Sequence, residues 1–472
     1  MSTHRNTLLA LSLACFASSA ALLAGCGSEG TLELSIVLPE GQDPLAGVDQ
    51  LSLSITRQSG QTTAQVKDSQ SFSLELEAEV ASEISSILLE GLKGGKLVAR
   101  GETPRIVLRP VDDAFKLLVG PAGAFAGLRP RLQQSGLDPA SAVLRGLGVL
   151  FAGGRDAQTG APLASAAVYD VFEHRLVPTT PALPEPRAGA VAAACGAECG
   201  VVALGRRSAS ELSTSLLRYI GGSWRSYDDG LEASQRREGA AIAELSSGDS
   251  LVVGGLSAAG VAQATLLRLS PGSSATTPSI RALASPARVA RSAPVVASSG
   301  AIVLIAGGQA EGEAPVELFF ASSQSTQVQP LSRGPVPASG SAAVSLGDGR
   351  FALLGGQTAT GDFIADGWLI DAVAQTVKHV PNALKTARAG HRAARVGTQL
   401  VVVGGQTTTG LAADAELLGT DTLQGVGTTP LQAPRAGHWL WSIAPGTLLV
   451  AAGAANGDAV ELLETFQSGV TN

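Results

Sequence analysis

The chain has 472 residues, 45% of them hydrophobic and 15% charged, and a formal net charge of −7. So much apolar surface excludes a disordered polymer, and the length predicts two or more structural units. The acidic balance and the lack of a long basic run argue against a nucleic-acid partner. The 57 glycines and 24 prolines predict many tight turns, and the low aromatic content of 4% requires a core of Ala, Val and Leu.

The first 25 residues have the layout of a secretion signal. Arg5 and the amino terminus supply positive charge, and an apolar stretch over residues 8–23 is followed by small residues. The apolar stretch is short for a transmembrane helix, which needs about 20 apolar residues. We therefore predict that residues 1–25 are a signal peptide and that the mature chain is exported.

The end of this segment, Leu23-Ala24-Gly25-Cys26, resembles the lipobox of bacterial lipoproteins. The resemblance implies cleavage before Cys26, a diacylglycerol on its sulfur and a short tether over residues 26–30. Acyl chains would then hold the protein on a membrane. Because no Asp follows Cys26, the resemblance favours the outer membrane. The alternative is an ordinary secreted protein in which this cysteine occurs by chance.

Two other cysteines of the mature chain, Cys195 and Cys199, are separated by three residues. Outside the cytoplasm such a close pair indicates a disulfide, which a hairpin turn can accommodate. A metal or redox pair is the alternative, but no histidine lies nearby in the sequence. We predict a local disulfide and no metal or other cofactor.

An internal repeat dominates the rest of the chain. A short apolar run ending in glycine recurs seven times, at residues 149–154, 201–205, 251–255, 302–308, 351–356, 400–405 and 448–453. The final glycines are 51, 50, 53, 48, 49 and 48 residues apart, and in five repeats an arginine precedes the glycine by 17 or 18 residues. This period, with short β-rich runs and turn glycines, predicts one four-stranded sheet per repeat. A continuous apolar strand is covered on both faces, as in the blades of a β-propeller.

The repeat also resembles a known family. The Arg-Ala-Gly-His sequences at 388–391 and 435–438, the Gly-Gly pairs and the turn Ile220-Gly-Gly-Ser-Trp224 are similar to kelch repeats. The resemblance covers about residues 125–472 and departs from the pattern at Leu204 and Ala452, which replace the first glycine. It implies a seven-bladed kelch-type β-propeller, which we assign to residues 119–472. Since the last repeat stops soon after its third strand, we predict that residues near 120–130 supply its outer strand.

Residues 31–118 have a different pattern. Apolar and polar residues alternate at 31–37, 51–55, 72–76 and 97–99, and another short strand is expected at 105–108. Strict alternation indicates strands with one buried face and one solvent-exposed face. We predict an immunoglobulin-like β-sandwich of antiparallel strands, acting as a spacer between lipid and propeller.

Common catalytic motifs are absent from the sequence, so we predict a non-catalytic binding or scaffolding protein of the cell envelope. We expect it to be monomeric and to bind an unidentified protein or polysaccharide partner. Strand polarity places the periodic arginines and the loops after Gly-Gly on one face of the propeller. The predicted binding residues on this face are Gln309, Gln357, Arg388, His391, Gln406, Arg435 and His438. Alternatively, these loops are solvated turns, and the arginines brace the blades through backbone carbonyls. The alternative function is a carbohydrate-active or small-molecule enzyme with its site at the propeller channel mouth, where several acids, histidines or tyrosines would have to converge.

Overall fold

A computed structural model describes residues 10–13, 32–57, 62–68, 84–107, 115–132, 136–273, 275–308 and 315–470. Within these ranges the chain is all-β, apart from one 3₁₀ turn at Ala233–Gln235. No helix in these ranges is long and apolar enough to cross a membrane. Cys26, the tether at 26–30, the strand predicted at 72–76 and Gln309 lie outside the described residues, as does the predicted signal except for its residues 10–13.

The N-terminal part contains nine strands: β1 (Ala10–Leu13), β2 (Leu32–Val37), β3 (Gln50–Arg57), β4 (Thr62–Asp68), β5 (Ile84–Lys93), β6 (Lys96–Glu102), β7 (Ile106–Val107), β8 (Phe115–Leu118) and β9 (Gly120–Pro121). They form one sheet of order β1-β2-β8 and a second of order β4-β3-β5-β6-β9, in which β7 also pairs with β5. Side chains of both sheets share one core around Leu34, Leu53, Ile87 and Leu117. The expectation of purely antiparallel strands is wrong for β2 and β8, which pair in parallel because a long segment connects them.

The repeat region begins with β10 (Phe125–Arg131), β11 (Ala140–Leu144), β12 (Gly148–Ala152), β13 (Ala166–Asp170), β14 (Arg175–Pro178), β15 (Val191–Ala194), β16 (Cys199–Ala203), β17 (Ser215–Ile220), β18 (Ser223–Asp228), β19 (Ala241–Glu244), β20 (Ser250–Val253), β21 (Leu267–Ser270) and β22 (Ser279–Ala282). It continues with β23 (Val295–Ser299), β24 (Ile302–Ala306), β25 (Val316–Phe320), β26 (Ser325–Gln329), β27 (Ala342–Gly347), β28 (Arg350–Gln357), β29 (Phe363–Asp371), β30 (Thr376–Val380), β31 (Arg392–Val396), β32 (Gln399–Val403), β33 (Gln406–Thr407), β34 (Gly410–Leu411), β35 (Asp414–Gly419), β36 (Gly425–Pro430), β37 (Trp439–Ala444), β38 (Thr447–Ala451), β39 (Ala454–Ala455), β40 (Asp458–Ala459) and β41 (Leu462–Gln467).

These strands form seven antiparallel four-stranded sheets, one for each repeat of the sequence. The first five are β11–β14, β15–β18, β19–β22, β23–β26 and β27–β30; the sixth is β31-β32-β35-β36, and the seventh is β37-β38-β41-β10. In every sheet the second strand is the apolar run that the repeat predicted. Short hairpins, β33–β34 and β39–β40, are inserted after the second strand of the last two sheets.

Apolar clusters join the sheets in a closed series. The cluster between sheets one and two contains Leu150 and Val202, and each later pair of neighbours shares a cluster of the same kind. A further cluster joins the seventh sheet to the first through Leu449, Leu463 and Phe151. The first strands follow the same order, and β37 contacts β11. Since both faces of each sheet are covered, the apolar runs need no alternation with polar residues.

The strand that completes the seventh sheet comes from the start of the repeat region. β10 pairs antiparallel with β41, with Phe125 opposite Phe466 and their ring centroids 5.1 Å apart. The predicted origin of the last outer strand near 120–130 is therefore confirmed. β9 pairs with β6, so the N-terminal sheet extends to Pro121, three residues beyond the predicted boundary at 118.

Candidate functional site

The loops that follow the Gly-Gly pairs lie beside the start of the first strands. The residue that follows the glycine pair forms a β-bridge with the residue that follows the periodic arginine, as Gln406 does with Ala389. Ala454, which follows Ala452-Gly453, forms the same bridge with Ala436. Antiparallel strands place the start of strand one and the end of strand two at the same edge of each sheet. We call this side of the seven sheets, formed by these loops and the first-strand starts, the glycine face.

The glycines are required there by conformation and by space. Gly404 and Gly405 have φ values of 58° and 99°, a region that favours glycine. A Cβ on Gly405 would lie 2.8 Å from Cβ of His391. The N–H of Gly405 donates to the carbonyl of Arg435 in the next sheet at 2.9 Å. The glycine pair thus ends one strand and also ties neighbouring sheets together.

The periodic arginines are fully buried braces. Arg388 donates from Nη1 to the carbonyl of Gly404 at 3.0 Å, and Arg435 donates to the carbonyls of Ala452 at 3.2 Å and Leu462 at 2.8 Å. Both arginines are 0% exposed. Their prediction as binding residues is therefore wrong, because no partner can reach them. The alternative that arginines brace each sheet through backbone carbonyls is confirmed for these two repeats.

Sequence reasoning missed the acids that pair with three of the arginines. Glu317, Glu416 and Glu464, all in third strands, bind Arg291, Arg388 and Arg435 respectively at 3.1, 2.6 and 2.7 Å. The signal was present in the sequence, since each glutamate lies 26 to 29 residues after its arginine.

Arg237 is in the same position but forms no ion pair with an acid in the described parts of the chain. It donates to the carbonyls of Gly254, Thr265 and Gln235, and burial lowers its pKa to about 10. Hydrogen bonds to backbone carbonyls alone therefore hold this arginine in place. In the repeats of Arg291, Arg388 and Arg435 a glutamate adds an ion pair.

His391 and His438 are also removed from the surface. Each is 0% exposed, so neither can contact a partner, and their prediction as binding residues is wrong. Burial, together with the nearby arginines, lowers the pKa of His391 to about 3 and the pKa of His438 well below its usual value. Cε1 of His391 and Cε1 of His438 lie 2.8 and 3.2 Å from the Cβ positions of Gly355 and Gly404. These histidines fill the space between consecutive sheets in neutral form.

Of the three predicted glutamines, Gln357 and Gln406 are accessible on the glycine face, and Gln309 lies outside the described residues. Gln406 is exposed and Gln357 is half-buried. The amide nitrogen of Gln357 donates to the carbonyl of Gly361 at 3.1 Å, which orders its own loop. In the next sheet Thr407 Oγ1 donates to the carbonyl of Gly410 at 2.8 Å. These loops therefore present polar groups in an ordered arrangement.

On the first three sheets the same face carries a charged network. Glu238 accepts from Arg155 at 2.5 Å and from Arg206 at 2.7 Å, joining sheets one, two and three. Burial opposes ionisation of this carboxyl, but the two arginines outweigh burial and lower the pKa of Glu238. The glycine face therefore carries a charged network across sheets one to three, whereas the loops of Gln357 and Gln406 are mostly uncharged, with Asp362 as an exposed carboxylate in the Gln357 loop.

A cavity of about 410 Å³ lies between the first strands of the sheets. Its lining is mostly Ala, Val and Ser, with Glu244 as its one carboxylate and Trp441 as its one aromatic residue. Among the described residues no group of three or more His, Cys, Asp or Glu is placed to hold a metal ion.

The disulfide lies on the opposite side from the glycine face. Cys195 and Cys199 are bonded across the turn between β15 and β16, with their Cα atoms 4.9 Å apart, so the predicted disulfide is confirmed. The N–H of Gly146, in the corresponding turn of sheet one, donates to the carbonyl of Ala197 at 2.7 Å. The closed turn thus also supports its neighbour.

The N-terminal sheets attach on the same side as the disulfide. Lys116 binds Glu173 at 2.5 Å in the turn between β13 and β14, and Arg100 donates to the carbonyl of Val470 at 2.6 Å. Leu118 packs into the cluster between the seventh and first sheets. Third strands run away from the glycine face, so the turn that Lys116 contacts is at the far edge. The glycine face therefore points away from the N-terminal sheets.

Comparison with known proteins finds similar solved structures but no matching family or curated protein. A solved structure titled "Structure of YjhT" aligns with a TM-score of 0.44 and 16% sequence identity, covering 59% of this chain and 94% of the other.

Proposed function

We propose that this protein is a lipid-anchored envelope protein that binds a protein or glycan partner on the glycine face of a seven-bladed, kelch-type β-propeller. The observation that carries the proposal is the orientation of the molecule. The ordered loops of the glycine face lie on the side away from the N-terminal sheets. In the sequence, Cys26 precedes strand β2 of these sheets by six residues. An anchored protein with this layout presents its loops outward.

The propeller assignment is supported by the closed series of contacts. Seven sheets share apolar clusters with two neighbours each, and the last sheet takes its outer strand from before the first. A strand of this kind protects the edges of the last sheet, where unpaired N–H and C=O groups would otherwise remain. The packed N-terminal sheets would act as a spacer in the form of a β-sandwich.

The anchor is tested at Cys26. Cys26→Ser removes the only group able to form the thioether, so we expect the mature protein to leave the membrane fraction or to stay uncleaved. Fractionation and intact-mass measurement distinguish these outcomes. Normal processing with unchanged membrane retention would exclude lipidation at this position. Separation of inner from outer membranes tests the outer-membrane assignment.

The binding face is tested by photo-cross-linking in intact envelopes. A photoreactive residue at Gln406, on the glycine face, is compared with one at Glu198, which is exposed in the disulfide turn on the opposite side. We expect a specific adduct from position 406 and none from position 198. Equal labelling of abundant envelope proteins from both positions would rule out a specific partner on the glycine face.

A further inference from the structure

At the seam between sheets six, seven and one, Arg392 is held in a fixed position at the start of β31, next to Ala393, which lines the central cavity. Its Nε donates to the carbonyl of His438 at 2.9 Å, and its Cζ lies 5.6 Å from the ring centroid of Trp439. Trp439 is itself stacked on Trp441 with centroids 5.5 Å apart. Stacking and one hydrogen bond orient the guanidinium. Within the described part of the chain, no carboxylate forms an ion pair with it.

Asp138 lies on the other side of the same seam. It precedes Pro139, whose carbonyl accepts from Nε1 of Trp439 at 2.8 Å. A Cβ on Gly437 would lie 3.7 Å from Oδ1 of Asp138, and Gly437 adjoins the residue that binds Arg392. The Asp138 side chain is exposed, and its backbone has a left-handed φ of 53°. The carboxylate therefore lies at the same seam, two residues before β11.

The two charges influence each other without meeting. Burial is the largest influence on both groups, raising the pKa of Asp138 and lowering the pKa of Arg392, and the opposite charge of each residue partly offsets the effect on the other. The nearby Arg155 is already neutralised by Glu238 at 2.5 Å. A cation and an anion thus lie at one seam, and neither forms an ion pair with a described residue.

We propose that Arg392 and Asp138 form a two-point binding site for a small zwitterion of the α-amino acid class, with its carboxylate on Arg392 and its ammonium on Asp138. A guanidinium offers parallel N–H donors that match a carboxylate, and an aspartate accepts from an ammonium. A dianion would be repelled by Asp138, and a neutral sugar would leave both charges unpaired. Zwitterion binding at this seam is separate from the binding of a macromolecular partner by the surrounding loops. An experiment can therefore reject one proposal without rejecting the other.

The test is calorimetric titration of the full-length protein with the common α-amino acids, tested singly, and with acetate and methylammonium as half-ligands. We expect at least one amino acid to bind with a dissociation constant below about 10 mM and at least about tenfold more tightly than either half-ligand. Arg392→Lys and Asp138→Asn should each weaken binding about tenfold or more. Asn tolerates the left-handed backbone of Asp138, and Lys retains the charge of Arg392 but not its paired donors.

Arg225 is an exposed arginine on β18, and Arg225→Met is the matched control. This variant should bind the amino acid with an affinity within about twofold of the wild-type value. Thermal melting of each variant establishes that it is folded. The proposal is overturned if no amino acid binds, if acetate binds as tightly as the best amino acid, or if affinity is unchanged in both site variants.

Discussion

Arg435 and Glu464 form an ion pair in which both side chains are completely buried, with Nη2 and Oε1 2.7 Å apart. The same carboxylate accepts from the N–H groups of Gln432 and Ala433 at 2.7 and 3.1 Å. Arg435 also binds two carbonyls of its own sheet. Every member of the network has a partner, which is the condition under which buried charges are tolerated.

Removing one partner of this pair should be costly. Glu464→Ala leaves the Arg435 charge and two N–H groups buried without an acceptor, so we expect a loss of about 3–5 kcal/mol in the free energy of unfolding. Urea denaturation followed by circular dichroism measures it. Glu211→Ala, which breaks the exposed pair with Arg207, serves as the control and should change stability by less than about 1 kcal/mol. Equal effects from the two variants would contradict the bracing role.

The outer strand of the seventh sheet should be sensitive to its anchor. Phe125 is 2% exposed and packs against Phe466, so Phe125→Ala should cost about 3–5 kcal/mol. β10 joins the start of the repeat region to its end. If the Phe125→Ala variant loosens β10 from β41, β41 should become accessible to protease. Limited proteolysis followed by mass spectrometry locates the first cuts. Val373→Ala, at a side chain 73% exposed, should leave the cleavage pattern unchanged.

The disulfide should contribute modestly. It closes a turn with a sequence separation of 4, and a loop this small restricts the unfolded chain by only about 2 kcal/mol. Comparing the melting temperature of the Cys195→Ala/Cys199→Ala double variant with that of the oxidised protein measures the contribution. Reduction of the wild-type protein should reproduce the shift. Unfolding of the double variant at room temperature would mean that the bridge is essential rather than local.

Stability should fall in mild acid because three histidines are held neutral. The pKa of His391 is lowered to about 3 and that of His174 to about 4, with His438 also lowered, and burial is the largest cause in each case. In the unfolded chain these groups take up protons below about pH 6.5. The unfolded state therefore binds more protons between about pH 6.5 and 4, and each histidine removes up to about 1.4 kcal/mol of stability per pH unit there.

The histidine contribution can be isolated with His391→Ser, since serine occupies the equivalent position at Ser341 in the preceding sheet. The variant should lose stability at pH 7, but its stability should fall less steeply between pH 6 and 4, by about one proton. Urea titrations at several pH values give both quantities. An unchanged slope would show that His391 does not titrate on unfolding.

The repeat was readable from sequence because each sheet obeys the same local rules. A covered strand must be apolar throughout, and the turn after it needs glycine, so residues 400–405 carry the same pattern as residues 251–255. The disulfide and the origin of β10 followed from spacing and from the count of strands. The prediction of binding residues failed at Arg388, Arg435, His391 and His438. Regular spacing between the repeats does not distinguish a buried brace from an exposed ligand-binding group.

By itself the sequence determined the period, the number of sheets and the positions of their second strands, since these depend on residues close together in the chain. Only the tertiary structure decided which polar groups are accessible. Glu464 lies 29 residues from Arg435, and Asp138 lies far along the chain from Arg392 at the other side of a seam. Closing the series of sheets brings such residues together, and burial then decides whether a charge braces the fold or remains free to bind.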